Sequence, residues 1–480
     1  MKHLRVNRLP ALPGPAAWNL LLGPAPVHEP LEGACTADIV IVGAGFAGLS
    51  AARRARQIEP GARIIVLEAE RIAESSAGRN SGFMIDLPHE LTSDDYAGAG
   101  DDMTVIALNR QAIGFADAAV AEYQINANYF DRAGKLNGAA SDAAHAHNES
   151  YAAHLASLGE SCELLDRQAM KALTGSGHYR SGLYTPGTVM LQPAGYIRGL
   201  AAGLVREGVR LHETSPVTAL TRESDAWRVE TPGGRISAGR VILTVNGHLE
   251  SFGFERGRLM QLFLYAVMTP ELDRDALTRL GGRNRWGITP SDPMGTTVRR
   301  IDTGQGGNRI VTRTCATLAP GRRIGPGHVA RAARIMQKKF DSRFPQLAGM
   351  KMEHAWAGHL CLTLNGVSVM RRLDDGLYSG CVQNGLGTTR GLLLLSGAND
   401  GNDAPAAQVT PNLSPNPCRT GPSRYIRWQS TPRASSSVIL ALQAEWIGAP
   451  KQVSSGVMPS PGPVGRAMWP RSIVMPFSGS

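Results

Sequence analysis

Asp38-Ile39-Val40-Ile41-Val42-Gly43-Ala44-Gly45-Phe46-Ala47-Gly48 is the stretch that decides how this chain folds. Its opening run of apolar, β-branched residues is the composition of a strand covered on both faces. A G-x-G-x-x-G turn follows, and Leu49-Ser50-Ala51-Ala52-Arg53-Arg54-Ala55-Arg56 continues with helical composition. A second apolar run, Arg63-Ile64-Ile65-Val66-Leu67-Glu68, completes a strand–helix–strand unit within about thirty residues, which implies a parallel sheet with a helical crossover. Gly43 permits the tight turn, Gly45 lets backbone approach a pyrophosphate, and Gly48 lets helix and strand pack closely. Phe46 and Ala47 open the helix, whose unpaired N–H groups and dipole favour phosphate. Glu68, twenty residues past Gly48 and followed by Ala69, is placed to accept hydrogen bonds from ribose hydroxyls. The pattern does not by itself separate FAD from NAD.

The next loop does more to separate them. Ser76-Ala77-Gly78-Arg79-Asn80-Ser81-Gly82-Phe83 offers small residues that let backbone amides reach an extended polar chain, with Arg79 or Asn80 as additional donors. This loop resembles the G-R-N-G-G segment of the glycine oxidase/D-amino-acid oxidase superfamily, particularly its gamma-glutamylputrescine oxidase-like branch. Further matches follow in order. Val217 in V-T-A-L resembles an adenine contact, and Thr244, Asn246 and Gly247 stand at the end of V-I-L-T-V-N-G-H. Leu191-Gln192-Pro193, F-P-Q-L-A-G at 344–349 and W-A-G-H at 356–359 are similar to segments leading to the flavin. Gly380–Gly391 resembles the family's G-x-x-G-x-G loop at the flavin end, with Gly385, Gly387 and Thr388 as contacts. The resemblance covers about residues 15–391. It implies non-covalently held FAD and oxidation of an amine or amino acid carbon–nitrogen bond by hydride transfer to flavin N5, giving an imine that hydrolyses.

The implied architecture is α/β: a Rossmann-like FAD-binding domain with an inserted α+β substrate domain on an antiparallel sheet. The FAD-binding domain is assigned to 37–90, 151–250 and 351–391, and the substrate domain to 91–150 and 251–350. Residues 1–36 read as an irregular arm. Helical patterns occupy 101–127, 142–172 and 328–340, and strand patterns 217–220, 227–230, 240–245, 261–268, 296–301 and 309–314.

The chemistry expected of the side chains is modest, because flavin amine oxidation needs orientation, a dry pocket and electrostatic tuning more than acid–base groups. No Ser-His-Asp, paired-carboxylate or metal pattern stands out, and His145 and His147 read as a polar helix face. Within the substrate domain, Tyr265, Trp286 and Arg299 or Arg300 are the candidates for caging an amine or binding a carboxylate, with Arg300 carried forward. His359 is expected to make a polar contact near the flavin. Cys381 reads as a small packing residue. The partners expected are a small amine or amino acid and, as electron acceptor, oxygen or a carrier. An inactive flavoprotein relic and an NAD-dependent dehydrogenase are the alternatives.

Composition sets outer bounds. The chain has 480 residues, a formal charge of +10 and 42% hydrophobic residues, ordinary for a globular protein of two or three domains. The basic residues are dispersed, so nucleic-acid binding is not expected. Without an 18-residue apolar run or a signal peptide, the reading is cytoplasmic and without a membrane span. Six cysteines without a C-x-x-C pair fit reduced thiols. Residues 391–480 differ, holding 12 of the 30 prolines but seven of 50 basic and three of 40 acidic residues. A composition of this kind is typical of disorder. Leu392-Leu393-Leu394-Leu395-Ser396-Gly397-Ala398-Asn399-Asp400-Gly401 also cannot sustain the helix expected after Gly391. Residues 392–480 therefore read as an atypical tail beyond a lost reading frame, which resequencing of the coding DNA tests.

Overall fold

The computed structural model describes residues 2–88, 102–292, 295–364, 366–391 and 474–475. Two large sheets carry the fold. In the first, five strands run parallel in the order Arg210–His212, Ile64–Leu67, Gly33–Val42, Gly234–Leu243 and Leu377–Cys381. Gly33–Val42 is central, and its apolar run Ile39–Val42 is buried on both sides. Ile39, Ile41, Ile64 and Val66 face one core with helices Phe46–Ile58 and Pro193–Arg206. Val40, Val42, Ile65 and Leu67 face another, with Trp227, Val229 and Phe252. Ala219–Glu223 and Ala226–Glu230 extend this sheet antiparallel.

The second sheet runs from His354–Thr363 through Leu259–Met268, Arg309–Leu318, Thr297–Ile301 and Trp286–Pro290 to Lys135–Ala139, Ser181–Thr185 and Glu163–Leu165. Its pairings are antiparallel apart from Trp286–Pro290 with Lys135–Ala139. Helix Pro326–Arg343 covers one face: Ala332, Met336 and Phe340, one turn apart, are buried, the first two against Phe263, Tyr265 and Val267. The opposite face carries Ala266, Arg313 and Thr297 in one cross-strand row, towards the loop at residues 79–82.

The α/β class stands, with details that differ from the sequence reading. The N-terminal segment is not wholly irregular. His3–Arg5 pairs antiparallel with Ala219–Thr221, and Ala17–Leu20 forms a helical turn that buries Trp18 completely. Strands Glu163–Leu165, Ser181–Thr185 and His354–Thr363, assigned from sequence to the FAD-binding domain, hydrogen-bond into the second sheet. The helical pattern at 142–172 is two helices, Asp142–Ser157 and Arg167–Thr174, parted by strand Glu163–Leu165. Asp166 restarts the second by accepting the Ala169 N–H at 2.8 Å. The reading of residues 392–480 lies outside the described residues apart from 474–475. No helix among the described residues is long and apolar enough to cross a membrane.

Candidate active site

The carboxyl ends of the parallel strands open into a cavity of about 1200 Å3 lined by residues of both sheets, the position where open α/β sheets place their ligands. At its first end Gly43 has φ +106°, and a Cβ there would stand 2.9 Å from the Thr244 carbonyl oxygen. A Cβ on Gly48 would lie 1.8 Å from the Gly43 carbonyl oxygen, so only glycine lets the helix pack on the turn. Gly45 caps helix Phe46–Ile58 without a side-chain hydrogen bond, which leaves the first N–H groups of the helix at the cavity. Gly43, Gly45, Phe46, Ala47, Glu68 and Ala69 all line it, while Gly48 serves packing.

Glu68 is 6% exposed. Its carboxylate accepts the Ala44 N–H at 2.8 Å and the Glu70 N–H at 3.2 Å. Burial pushes its pKa up to about 7, against the lowering effect of those donors. Hydroxyl donors reaching this group would relieve that desolvation. Thr244 ties the sheet to the turn by donating to the carbonyls of Val42 and Gly43 at 2.8 and 2.9 Å. Val217, Thr244 and Asn246, the last with φ +48°, complete this end.

The loop at 76–83 contributes to the middle of the cavity wall, but its Arg79 and Asn80 side chains bond to the protein. Gly78 is a packing residue, since a Cβ there would sit 1.8 Å from the Ala73 carbonyl oxygen. Arg79 donates to the carbonyls of Glu74 at 2.6 Å, Ala357 at 3.1 Å and Gly14, and burial brings its pKa down to about 10. Asn80 donates to Ala77 O at 2.6 Å and accepts the Gly82 N–H at 2.7 Å. Arg79, Asn80 and Ser81 remain on the cavity wall.

At the far end Gly385, Gly387 and Thr388 line the cavity. Thr388 donates to the Phe83 carbonyl at 2.5 Å, joining the two glycine-containing loops. Cys381 is fully buried among Val42, Leu243 and Val382, in keeping with packing.

The expected substrate-contacting residues divide. His359 lines the cavity, 2.8 Å from Gln261 Oε1. Gln261 Nε2 donates to Gly247 O at 3.0 Å and Glu250 Oε2 at 2.7 Å. Those two acceptors fix the amide orientation, so His359 Nε2 carries the hydrogen and Nδ1 is left as the ring's acceptor. Desolvation, with repulsion from His248 and Arg322, lowers the His359 pKa to about 3, so the ring is neutral. Gly247 is off the cavity; a Cβ there would meet Gln261 Oε1 at 2.3 Å and His359 Cε1 at 2.9 Å, so its smallness admits this pair.

Tyr265 borders the cavity, but its side chain is fully buried and its hydroxyl lies 2.6 Å from Thr317 Oγ1. It packs with Phe263, Val267, Cys315 and Met336 beneath helix Pro326–Arg343. Trp286 stacks on Phe344 in the core. Arg300 is off the cavity and donates to the Gly281 carbonyl: along a strand, adjacent side chains take opposite faces. Its neighbour Arg299 faces the loop instead, donating to Ser81 O at 2.8 Å and Leu191 O at 2.6 Å beneath Trp18 and Phe83.

Sequence reading missed three parts of the wall. Residues 8–13 cross it as a strap, held by the Val6 N–H donating to Thr218 O and by Arg79 on Gly14 O. The prolines there signal irregularity, not what is covered. His248 and, behind the wall, Gln261 were overlooked because their significance lies in partners distant in sequence. Arg313 lines the cavity and was passed over as one basic residue among many.

Comparison with known proteins fits this geometry. The profile of the DAO family, described as FAD dependent oxidoreductase, matches residues 38–394. The chain is 26% identical over 385 residues to the gamma-glutamylputrescine oxidoreductase of Escherichia coli (strain K12), covering 75% of this chain and 82% of that one. It is 24% identical over 354 residues to a probable oxidoreductase, OrdL, of Haemophilus influenzae, covering 71% and 77%. Its fold is similar to that of glycine oxidase from Geobacillus kaustophilus, with TM-score 0.60, 15% identity and coverage of 75% and 92%.

Proposed function

The chain belongs to the FAD dependent oxidoreductase family, and we propose that within it this protein oxidises the carbon–nitrogen bond of an amine or amino acid. Bound FAD supplies the hydride acceptor. The observation that carries the reading is one cavity with an uncapped helix start at one end and a neutral, hydrogen-bonded histidine on the opposing sheet. The names of the relatives, an oxidoreductase of gamma-glutamylputrescine and an oxidase of glycine, point to the same substrate chemistry.

The residues fit FAD on structural grounds. The backbone at Gly43–Ala47 would hold the pyrophosphate, where added Cβ atoms at Gly43 or Gly48 would collide with backbone. Glu68 would hold the ribose, and the backbone of Asn80–Gly82 and Gly385–Thr388 the flavin end. His359, held neutral, adds no positive charge to oppose loss of the amine's proton; its Nδ1 accepts from the nitrogen and orients it. The strap and the buried sheet face exclude water.

The test is an optical one. Purified protein should be yellow, and one member of a panel of putrescine derivatives, glycine, sarcosine and taurine should bleach it anaerobically. A yellow protein that no amine bleaches would overturn the proposed activity, leaving the relic alternative. A colourless protein that binds NAD would favour the nicotinamide alternative.

A further inference from the structure

We propose that the N-terminal strap is the apolar subsite of the substrate: Leu9 and Leu12 hold the carbon chain of an amine whose nitrogen sits at His359. The inference rests on the amine-oxidation reading and adds the substrate class, an amine with an apolar chain of several carbons.

Pro10, Pro13 and Pro15 fix the backbone of the strap and remove its N–H groups, so this segment cannot extend a neighbouring sheet. Leu9–Pro13 make no hydrogen bond to any described residue. The strap is held at its ends instead. Before it, the Val6 and Asn7 N–H groups donate to the carbonyls of Thr218 at 2.9 Å and Ser251 at 3.1 Å, and the Arg8 side chain donates to that of Gly321. After it, Arg79 donates to the Gly14 carbonyl and, at 3.1 Å, to that of Ala357. The Arg8 backbone also hydrogen-bonds the ring of His248, which stands edge-on to the His359 ring with 5.6 Å between centroids. Through Arg79 and His248, both ends of the strap are tied to one short stretch of strand His354–Thr363, from Ala357 to His359.

Leu9 and Leu12 line the cavity and are half-buried, yet neither packs into any apolar cluster of the core. Apolar side chains that border a cavity without core partners offer surface for the methylene groups of a ligand, each worth about fourfold in affinity when fully buried. None of the segments assigned to FAD, the turn at 43–47, Glu68 and the loops at 80–82 and 385–388, includes these two leucines. A chain that begins at His359 Nδ1 therefore runs beneath the strap and covers them.

Straight-chain primary alcohols from ethanol to hexanol carry a donor for His359 Nδ1 and no amine to oxidise. Calorimetric titration of the oxidised holoenzyme with this series tests the subsite without requiring turnover. Affinity should rise about twofold to fourfold with each added carbon. Leu9→Ala or Leu12→Ala should weaken hexanol about tenfold and ethanol less than about twofold, with flavin content unchanged. A merely structural role would move both alcohols together. Should an alanine variant lose flavin, Leu9→Val or Leu12→Val replaces it, with hexanol about threefold weaker. Affinity that does not grow with chain length would overturn the subsite. So would hexanol binding unchanged, or weakened only as much as ethanol, in flavin-replete variants at both positions. Failure of every amine to bleach the flavin, with the chain-length dependence intact, would sink the activity alone.

Discussion

The two walls of the cavity are built by opposite rules. The nucleotide wall is mostly local: Gly43, Gly45, Gly48 and Glu68 lie within one strand–helix–strand unit, Gly48 and Glu68 answering to the turn itself and Gly43 to Thr244 on the adjoining strand. The substrate wall is assembled at a distance. Thr297, Ala266 and Arg313 come from three strands and meet only through register, and His359 comes from a fourth, where it pairs with Phe263. A local wall fails when one backbone approach is blocked, whereas a registered wall can lose a single contact and keep its shape. Mutations on the first should therefore remove cofactor, and mutations on the second should alter binding or turnover in protein that remains yellow.

The largest effect is expected from Gly48→Ala. Its methyl carbon would fall 1.8 Å from the Gly43 carbonyl oxygen, so flavin content should drop below about a tenth of wild type with a clear loss of thermal stability. Retention of full flavin would break the comparison at its root. Next is Arg299, which joins the two walls. Arg299→Met leaves the Ser81 and Leu191 carbonyls without this donor and should cost about 3 kcal/mol, read as a lower denaturant midpoint, together with weakened flavin retention.

Glu68 sharpens the comparison through pH. Its folded pKa of about 7 stands above the ordinary 4.5, so in flavin-free protein the folded state binds more protons between these values. Stability should fall as pH rises from about 4.5 to 7, by up to about 3 kcal/mol, and level off above. Glu68→Gln should remove that slope; an unchanged slope would deny Glu68 its strained burial.

On the other wall, His359→Ala should lower kcat/KM by about 10–100-fold, or 1.4–2.7 kcal/mol, in protein of normal flavin content. The pH profile of wild-type kcat/KM should show no His359 titration between pH 5 and 9, because that ring ionises near 3. Smallest of all is Arg300→Met. This side chain is turned to the Gly281 carbonyl, so kcat/KM should stay within about threefold while stability falls by about 1 kcal/mol.

The same contrast explains what could be read from sequence. The glycine turn, Glu68 and the α/β class were legible because a tight turn, a buried strand and a following helix each leave a local mark. The position of His359 near the cavity was legible from the resemblance at W-A-G-H. Its hydrogen bond to Gln261 was not, since 98 residues separate the two. Arg300 was favoured over Arg299 because composition cannot say which face of a strand a side chain takes. Shifting register by one residue would exchange the faces. Tyr265 misled for a related reason: an aromatic residue suits either a pocket or a core, and helix Pro326–Arg343 decides the matter only in three dimensions.

The most direct test of the whole account is the visible absorbance of the purified protein, followed anaerobically as amines and amino acids are added. Loss of the oxidised flavin bands, with one imine-derived carbonyl product released per flavin, is the expected result. A flavin-replete protein whose spectrum no amine or amino acid changes would contradict it.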